Sequence, residues 1–140
     1  HPGGAIGKRI FLKVSDLMIK GKDLPYVNLN APFQEVISTI TAFSKGAALV
    51  LSDKKFCGLI AERDLRKAME KLGSQVFDTH AFQIMNENPT TITADLLAIE
   101  AFNKMHSHNP PFNLLPVLDG QGRGIGMIRM LDLIDAGFSV

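Results

Sequence analysis

The sequence predicts an α+β fold made of two β-α-β-β-α repeats that pack into one body. The first observation is that three short motifs occur twice in the same order: Leu-Met or Ile-Met, then Gly-Leu-Ile or Gly-Met-Ile, then Asp-Leu. The copies keep their register, at 67 residues from Met18 to Met85 and 68 residues from Asp64 to Asp132. The second observation is size: 140 residues, 46% of them hydrophobic, can fill one shared core.

The first repeat shows the predicted order of elements in its hydrophobic pattern. Asn30 is the predicted N-cap of its first helix, and Pro32 is tolerated in the first turn. Apolar residues at helical spacing, short apolar runs and turn residues then define the elements. They are a β-rich run at 26–27, a helix over 33–43, strands over 47–51 and 56–60, and a helix over 62–71.

The second repeat copies this order. Thr93 is the predicted N-cap of its first helix, which the prolines at 110 and 111 end. The predicted elements are a β-rich run at 90–92, that helix, strands over 114–118 and 124–128, and a helix over 130–136. The predicted boundaries are 1–13 for a junction, 14–76 for the first repeat and 77–140 for the second.

Composition excludes several classes of function. Fifteen Lys and Arg against 14 Asp and Glu leave a net charge of +1, so we expect no nucleic-acid partner and no anionic membrane surface. No window of eighteen apolar residues predicts a membrane span. The single cysteine, Cys57, excludes an internal disulfide and fits a cytoplasmic location. His106 and His108 stand two residues apart and share no helix face, so no metal site is predicted.

The two segments Gly58–Asp64 and Gly126–Asp132, each after a predicted hairpin, resemble the motifs of a pair of CBS (cystathionine-β-synthase) domains. The resemblance implies that Asp64 and Asp132 hold the ribose diol of an adenosine nucleotide in a cleft between the repeats, beside Ile60 and Ile128. An Asp in a first helical turn also caps the helix, and both interpretations stay open. The family pattern has Ser or Thr three residues before each Asp, where this chain has Ala61 and Arg129. Arg129 either grips a phosphate or fills the cleft.

A narrower resemblance is to the arabinose-5-phosphate isomerase family. The residues that carry it are His1–Arg9, Lys13–Met18, Leu24–Pro25, Arg63–Ala68 and Asp132–Gly137. That family places a sugar-isomerase (SIS) domain before a CBS pair and interconverts ribulose 5-phosphate and arabinose 5-phosphate for lipopolysaccharide synthesis. The resemblance implies that this chain is the CBS pair without the SIS domain. His1 is then a proton-transfer group of the parent enzyme only, and no catalysis is expected from this chain by itself.

Two functions follow as hypotheses. The first is a regulatory module that requires no cofactor and senses an adenosine nucleotide or a CMP-sugar as effector. The second is a structural module with vestigial clefts that holds enzyme subunits together. Either one is expected to form a homodimer, and a tetramer in the parent enzyme.

Overall fold

Two three-stranded sheets and six helices make up the fold in the computed structural model, which describes residues 9–140. The helices are α1 (Val14–Leu17), α2 (Phe33–Phe43), α3 (Glu62–Leu72), α4 (Ala81–Ile84), α5 (Ala98–Ser107) and α6 (Met130–Asp135). The strands are β1 (Tyr26–Asn28), β2 (Ala47–Ser52), β3 (Lys55–Ala61), β4 (Ile92–Thr93), β5 (Leu114–Leu118) and β6 (Gly124–Arg129). Short 3-10 turns occupy Gly21–Asp23 and Gly73–Asp78. The predicted α+β class is confirmed, and the predicted β-α-β-β-α order is present in each repeat, preceded by a short helix, α1 or α4, that was not predicted.

Both sheets are mixed and have the same strand order, β1-β2-β3 and β4-β5-β6. The first strand of each sheet runs parallel to the second, with Tyr26 opposite Leu49 in one sheet and Ile92 opposite Val117 in the other. The hairpin β2–β3 is antiparallel. Each central strand is a continuous run of apolar residues, as is typical of a strand that is covered on both faces. Accordingly, residues 47–51 and 115–117 are buried.

The compact units of the chain differ from its sequence repeats. The Asp64 unit consists of Lys22–Pro89 and Gly122–Gly124, and the Asp132 unit consists of residues 9–21, Thr90–Gln121 and Ile125–Val140. Each short helix therefore packs with the sheet of the other repeat: α1 belongs to the Asp132 unit and α4 to the Asp64 unit. The predicted boundaries at 14–76 and 77–140 divide the sequence motifs and remain a prediction.

The two short helices α1 and α4, each of which packs in the unit of the other repeat, are called the exchanged helices below. Equivalent backbone hydrogen bonds hold them in place. In the Asp64 unit, the N–H of Ala81 donates to the carbonyl of Ala31 at 2.8 Å. In the Asp132 unit, the N–H of Val14 donates to the carbonyl of Leu96 at 2.8 Å. Because these bonds satisfy first-turn N–H groups that a helix leaves without an internal partner, they anchor two helices of only four residues each.

A two-way bridge follows each exchanged helix and joins it to the last strand of its unit. Asn86 and Leu59 exchange both backbone hydrogen bonds at 2.8 and 3.0 Å, and Ile19 and Met127 do the same at 2.8 and 3.0 Å. The bridges extend β3 and β6 by one short antiparallel contact each. The exchange of α1 and α4 is therefore fixed by backbone pairing as well as by side-chain packing.

The repeated glycine of the Gly-x-Ile motif makes room for this exchange. A Cβ added at Gly58 would come within 2.7 Å of the sulfur of Met85, and one added at Gly126 within 2.5 Å of the sulfur of Met18. The Met and Gly motifs of the sequence repeat thus meet crosswise, with the Met of each repeat packed on the Gly of the other.

The predicted N-cap of α2 is wrong. The helix begins at Phe33 with Pro32 as its N-cap, whereas Asn30 lies in a turn where its N–H donates to the side chain of Asn28 at 2.9 Å. The N–H of Phe33 finds its acceptor in the carbonyl of Thr79 at 3.0 Å. A tertiary contact from the segment before α4 therefore does the work of a capping side chain.

The predicted N-cap of α5 is wrong for the same reason. Thr93 lies in β4, and the helix begins five residues later, at Ala98, with Leu97 as its N-cap. The N–H of Ala98 donates to the carbonyl of Leu12 at 2.8 Å, just before α1. The exchanged segment again supplies the acceptor.

Each unit has its own hydrophobic core, built where the helices cover the sheet. Phe33, Val36 and Ile60 are fully buried in the core of the Asp64 unit. Met105, Ile128 and Leu133 are fully buried in the core of the Asp132 unit. The half-buried Cys57 packs against the core of the Asp64 unit.

Candidate functional site

Asp64 lies in the first turn of α3, directly after β3. Its Oδ2 accepts a hydrogen bond from the backbone N–H of Ala61 at 2.8 Å, which caps the helix. Within residues 9–140 no second hydrogen bond or ion pair to this carboxylate is recorded, and the side chain is half-buried. One carboxylate oxygen therefore stands ready to accept a hydrogen bond from a ligand.

Asp132 occupies the equivalent place in α6, but both of its oxygens are engaged by Arg129. Oδ2 accepts from the backbone N–H at 2.9 Å and from Nε at 3.1 Å, and Oδ1 accepts from Nη2 at 2.7 Å. The two side chains are only 21% and 13% exposed. The hydrogen bond to Asp132 raises the pKa of Arg129, partly opposed by burial and assisted by the charges of Asp132 and Asp135. The pair is a bidentate, charge-assisted interaction.

Two further helices use the same device at their third residue. The N–H of Lys13 donates to Asp16 at 2.8 Å before α1, and the N–H of His80 donates to the side chain of Gln83 at 2.8 Å before α4. The capping interpretation left open by the sequence is thus present at Asp64 and Asp132. Capping uses one oxygen in each case, so it is compatible with a ligand at Asp64.

The other ligand residues expected from the resemblance lie at the ends of the last strands. Ala61 is half-buried at the end of β3 and offers no side-chain hydrogen bond. Ile60 and Ile128 have no exposed side-chain surface and belong to the two cores. Neither residue presents surface to a ligand in this structure. Their role in binding stays a prediction, and His1 lies outside the described residues.

The histidines near the end of α5 serve aromatic packing. His106 stacks on Phe102, and the His108 ring lies 3.9 Å from that of Phe112, measured between centroids. Nδ1 of His108 lies 2.8 Å from the carbonyl oxygen of Pro110, which makes Nδ1 the donor. In the described part of the chain, no group of three or more His, Cys, Asp or Glu is arranged to hold a metal ion.

An apolar pocket of about 300 Å³ opens on the Asp132 unit, between α5, α6 and the end of the chain. It is lined by residues that include Phe102, His106, Phe112, Met130, Ile134 and Phe138. Leu131 and Ile134 on α6 are each 52% exposed beside it. Sequence reasoning missed this pocket, although the signal is present: α6 carries apolar residues where α3 carries Arg63 and Arg66.

No helix among residues 9–140 combines the length and the apolar character needed to cross a membrane. The longest helices, α2 and α3, have 11 residues each.

A family model and solved structures of CBS domains resemble this chain. The family model of the CBS domain matches twice, over residues 14–71 and 81–139. Among solved structures, the CBS-pair protein CBSX2 of Arabidopsis thaliana, in its complex with AMP, superposes with a TM-score of 0.76 at 18% identity, covering 89% of this chain and 95% of that one. The CBS-domain protein ATU1752 of Agrobacterium tumefaciens gives 0.74 at 26% identity, over 92% and 96%.

The curated relatives share more sequence. Arabinose 5-phosphate isomerase KdsD of Pseudomonas aeruginosa is 35% identical over 98% of the chain, and isomerase KpsF of Escherichia coli O6:H1 is 37% identical over 94%. The chain spans about two fifths of the length of these enzymes, 41% and 39% respectively.

Proposed function

Because the chain belongs to the CBS-domain family and carries two CBS domains, we propose that it is the regulatory region of an arabinose 5-phosphate isomerase. In this proposal it binds a nucleotide or a nucleotide sugar through Asp64. The observation that carries the proposal is the Asp64 carboxylate, which caps α3 with one oxygen and keeps the other for a ligand. The similarity to two isomerases over nearly the whole chain supports the choice of enzyme.

The chemistry at Asp64 suits a ribose phosphate. A carboxylate is a hydrogen-bond acceptor, so its Oδ1 can accept a hydrogen bond from a ribose hydroxyl. The 11 residues of α3 begin at Glu62, and their first N–H groups and positive dipole end favour a phosphate at the same place. The AMP complex of a protein with this fold supports an adenosine nucleotide as the first ligand to test, with a CMP-sugar as the second. The cleft between the repeats stays part of this proposal.

Regulation requires the ligand to prefer one conformation of the enzyme over another. The isomerisation itself, ribulose 5-phosphate to arabinose 5-phosphate, belongs in this proposal to a sugar-isomerase domain outside the chain. The proposed module requires no cofactor and does not catalyse the reaction by itself. We propose that the protein acts in the cytoplasm. The test is isomerase turnover of the full-length enzyme with and without the ligand. Turnover by the 140-residue chain alone would contradict the proposal.

Binding is tested by thermal denaturation of the chain with AMP, ATP, CMP and a CMP-sugar. A ligand that binds only the folded state raises Tm in proportion to the logarithm of its excess over Kd. We expect at least one of the four to raise Tm, and Asp64→Ala to abolish the shift. Asp16→Ala is the matched control because it removes the same backbone cap at α1 without touching the proposed site. If none of the four ligands raises Tm, the binding proposal is wrong.

The second candidate is a structural module that joins subunits, and the apolar pocket and exposed α6 favour it. In this proposal two chains form a homodimer, and the parent enzyme a tetramer, through the Asp132 unit. Ligand binding distinguishes the two candidates. A dimer whose Tm changes with none of the nucleotides supports the structural module, and a nucleotide that raises Tm supports the regulatory module.

A further inference from the structure

We propose that Arg129 closes the ligand site of the Asp132 unit, so that the chain binds one nucleotide, at Asp64, and not two. This inference rests on the proposed function and adds how the two equivalent sites differ. The geometry that carries it is the bidentate pair between the Arg129 guanidinium and the Asp132 carboxylate.

The pair occupies the atoms that a diol would need. Oδ1 of Asp132 accepts from Nη2 at 2.7 Å, while Oδ2 already accepts two hydrogen bonds from Arg129. Hydrogen bonds from a guanidinium to a carboxylate are roughly twice as strong as those between neutral groups. A ribose that displaced the guanidinium would replace a bidentate ion pair with hydrogen bonds from neutral hydroxyls, so Arg129 is favoured at this carboxylate. At Asp64 the residue three positions earlier is Ala61, which has no side-chain donor, and the competition does not arise.

The arginine is also a poor anchor for the phosphate. The hydrogen bond to Asp132, together with the charges of Asp132 and Asp135, raises the pKa of Arg129. The positive charge of the guanidinium is therefore already compensated by carboxylates. The charged residues of α6 are Asp132 and Asp135 alone, whereas the first six residues of α3 carry Glu62, Arg63, Asp64, Arg66 and Lys67. A nucleotide phosphate near α6 would face two carboxylates against one engaged arginine. Near α3 it would meet three cations against two carboxylates.

The closure is local and does not depend on the rest of the fold. Arg129 and Asp132 stand three residues apart, so that the same turn that caps α6 brings their side chains together. The same i, i+3 geometry exists at Ala61 and Asp64. An arginine placed at position 61 should therefore close the Asp64 site in the same way.

The test is isothermal titration with AMP, and with whichever of ATP, CMP or a CMP-sugar raises Tm if AMP does not. For the natural chain we expect one site per chain, lost in Asp64→Ala. Arg129→Thr supplies the hydroxyl of the family pattern and should raise the number of sites to two. Ala61→Arg should reduce it to none, and Lys104→Thr, which removes an exposed charge on α5, should leave it at one.

The outcomes separate this inference from the proposed function. No binding by the natural chain to any of the four ligands contradicts the proposed function itself. Two sites in the natural chain, or binding that Asp132→Ala removes and Asp64→Ala does not, overturns the closure and leaves nucleotide binding intact. Arg129→Thr folded but still at one site also overturns it. If Arg129→Thr fails to fold, Ala61→Arg decides: full retention of binding in that variant contradicts the closure.

Discussion

The Asp64 unit and the Asp132 unit share one plan, and they differ most clearly at the helix that follows the last strand of each unit. In both units a strand ends, a third-position Asp caps the following helix, and an exchanged Met packs on a glycine. In the Asp64 unit that helix is charged, and one carboxylate oxygen of its Asp makes no hydrogen bond within residues 9–140. In the Asp132 unit the helix is apolar and its Asp is held by Arg129. The comparison teaches that two units with the same packing plan can differ in their chemistry through the residue just before the helix.

The exposed faces of α3 and α6 also differ, because the face of α3 is charged and that of α6 is apolar. Arg63 and Arg66 of α3 stand where α6 has Leu131 and Ile134, the last two each 52% exposed. An exposed apolar face beside an apolar pocket favours contact with another protein surface, whereas a face of arginines stays solvated. In the proposed function, the Asp64 unit would bind the ligand and the Asp132 unit would carry the contact between subunits.

The largest effects are expected where the two units are alike. Gly58→Ala and Gly126→Ala each force a Cβ against a Met sulfur and a backbone carbonyl oxygen, the latter at 2.8 and 3.0 Å. We expect each variant to lose roughly 1–3 kcal/mol of unfolding free energy, because overpacking shifts the exchanged helix. Urea denaturation measures the loss, and Gly120→Ala, whose Cβ would meet nothing within 4 Å, is the control. A loss no greater than that of Gly120→Ala would contradict the crosswise packing.

An intermediate effect is expected from the two carboxylates. Asp132→Asn weakens three hydrogen bonds within a half-buried ion pair, for an expected loss of about 2 kcal/mol. Asp64→Asn weakens a single cap, for an expected loss of about 1 kcal/mol or less. The comparison of the two midpoints in urea tests the asymmetry without any ligand. Equal losses would show that Arg129 adds nothing to the hold on Asp132.

The smallest effect on stability, but a clear one on assembly, is expected at the exposed face. Ile134→Arg gives α6 the residue that α3 has at Arg66, and we expect the Kd of the proposed dimer to rise about tenfold, which corresponds to about 1.4 kcal/mol. Sedimentation velocity over a range of concentrations measures this, and Arg66→Ala on α3 is the control. Unchanged association in Ile134→Arg would place the dimer contact elsewhere.

The sequence predicted most of the elements because each is defined by its own residues. Apolar runs gave the central strands, and glycine and proline marked their ends. The exchange of α1 and α4 was not predictable in this way. The repeated motifs place Met18 and Gly58 in the same repeat, whereas the fold packs Met18 on Gly126 of the other repeat. Both wrong N-caps, Asn30 and Thr93, follow from this exchange, because carbonyls of the exchanged segments replaced the expected capping side chains.

The candidate site was predicted in part. The position of Asp64 and Asp132 after the last strand of each repeat followed from the motif. Whether Arg129 points towards a phosphate or fills the site depends on a rotamer, and the rotamer depends on the turn that brings Asp132 within 2.7 Å. The apolar pocket depends on how α5 and α6 meet, which a pattern along one helix does not contain.

The difference between the two units is tested most directly by following the backbone amides in a ¹H–¹⁵N correlation spectrum while AMP, or the nucleotide that raises Tm, is added. The account predicts saturable shifts at residues 60–64, at the start of α3, and no comparable shifts at residues 128–132, at the start of α6. Shifts of similar size and affinity at both segments would contradict it.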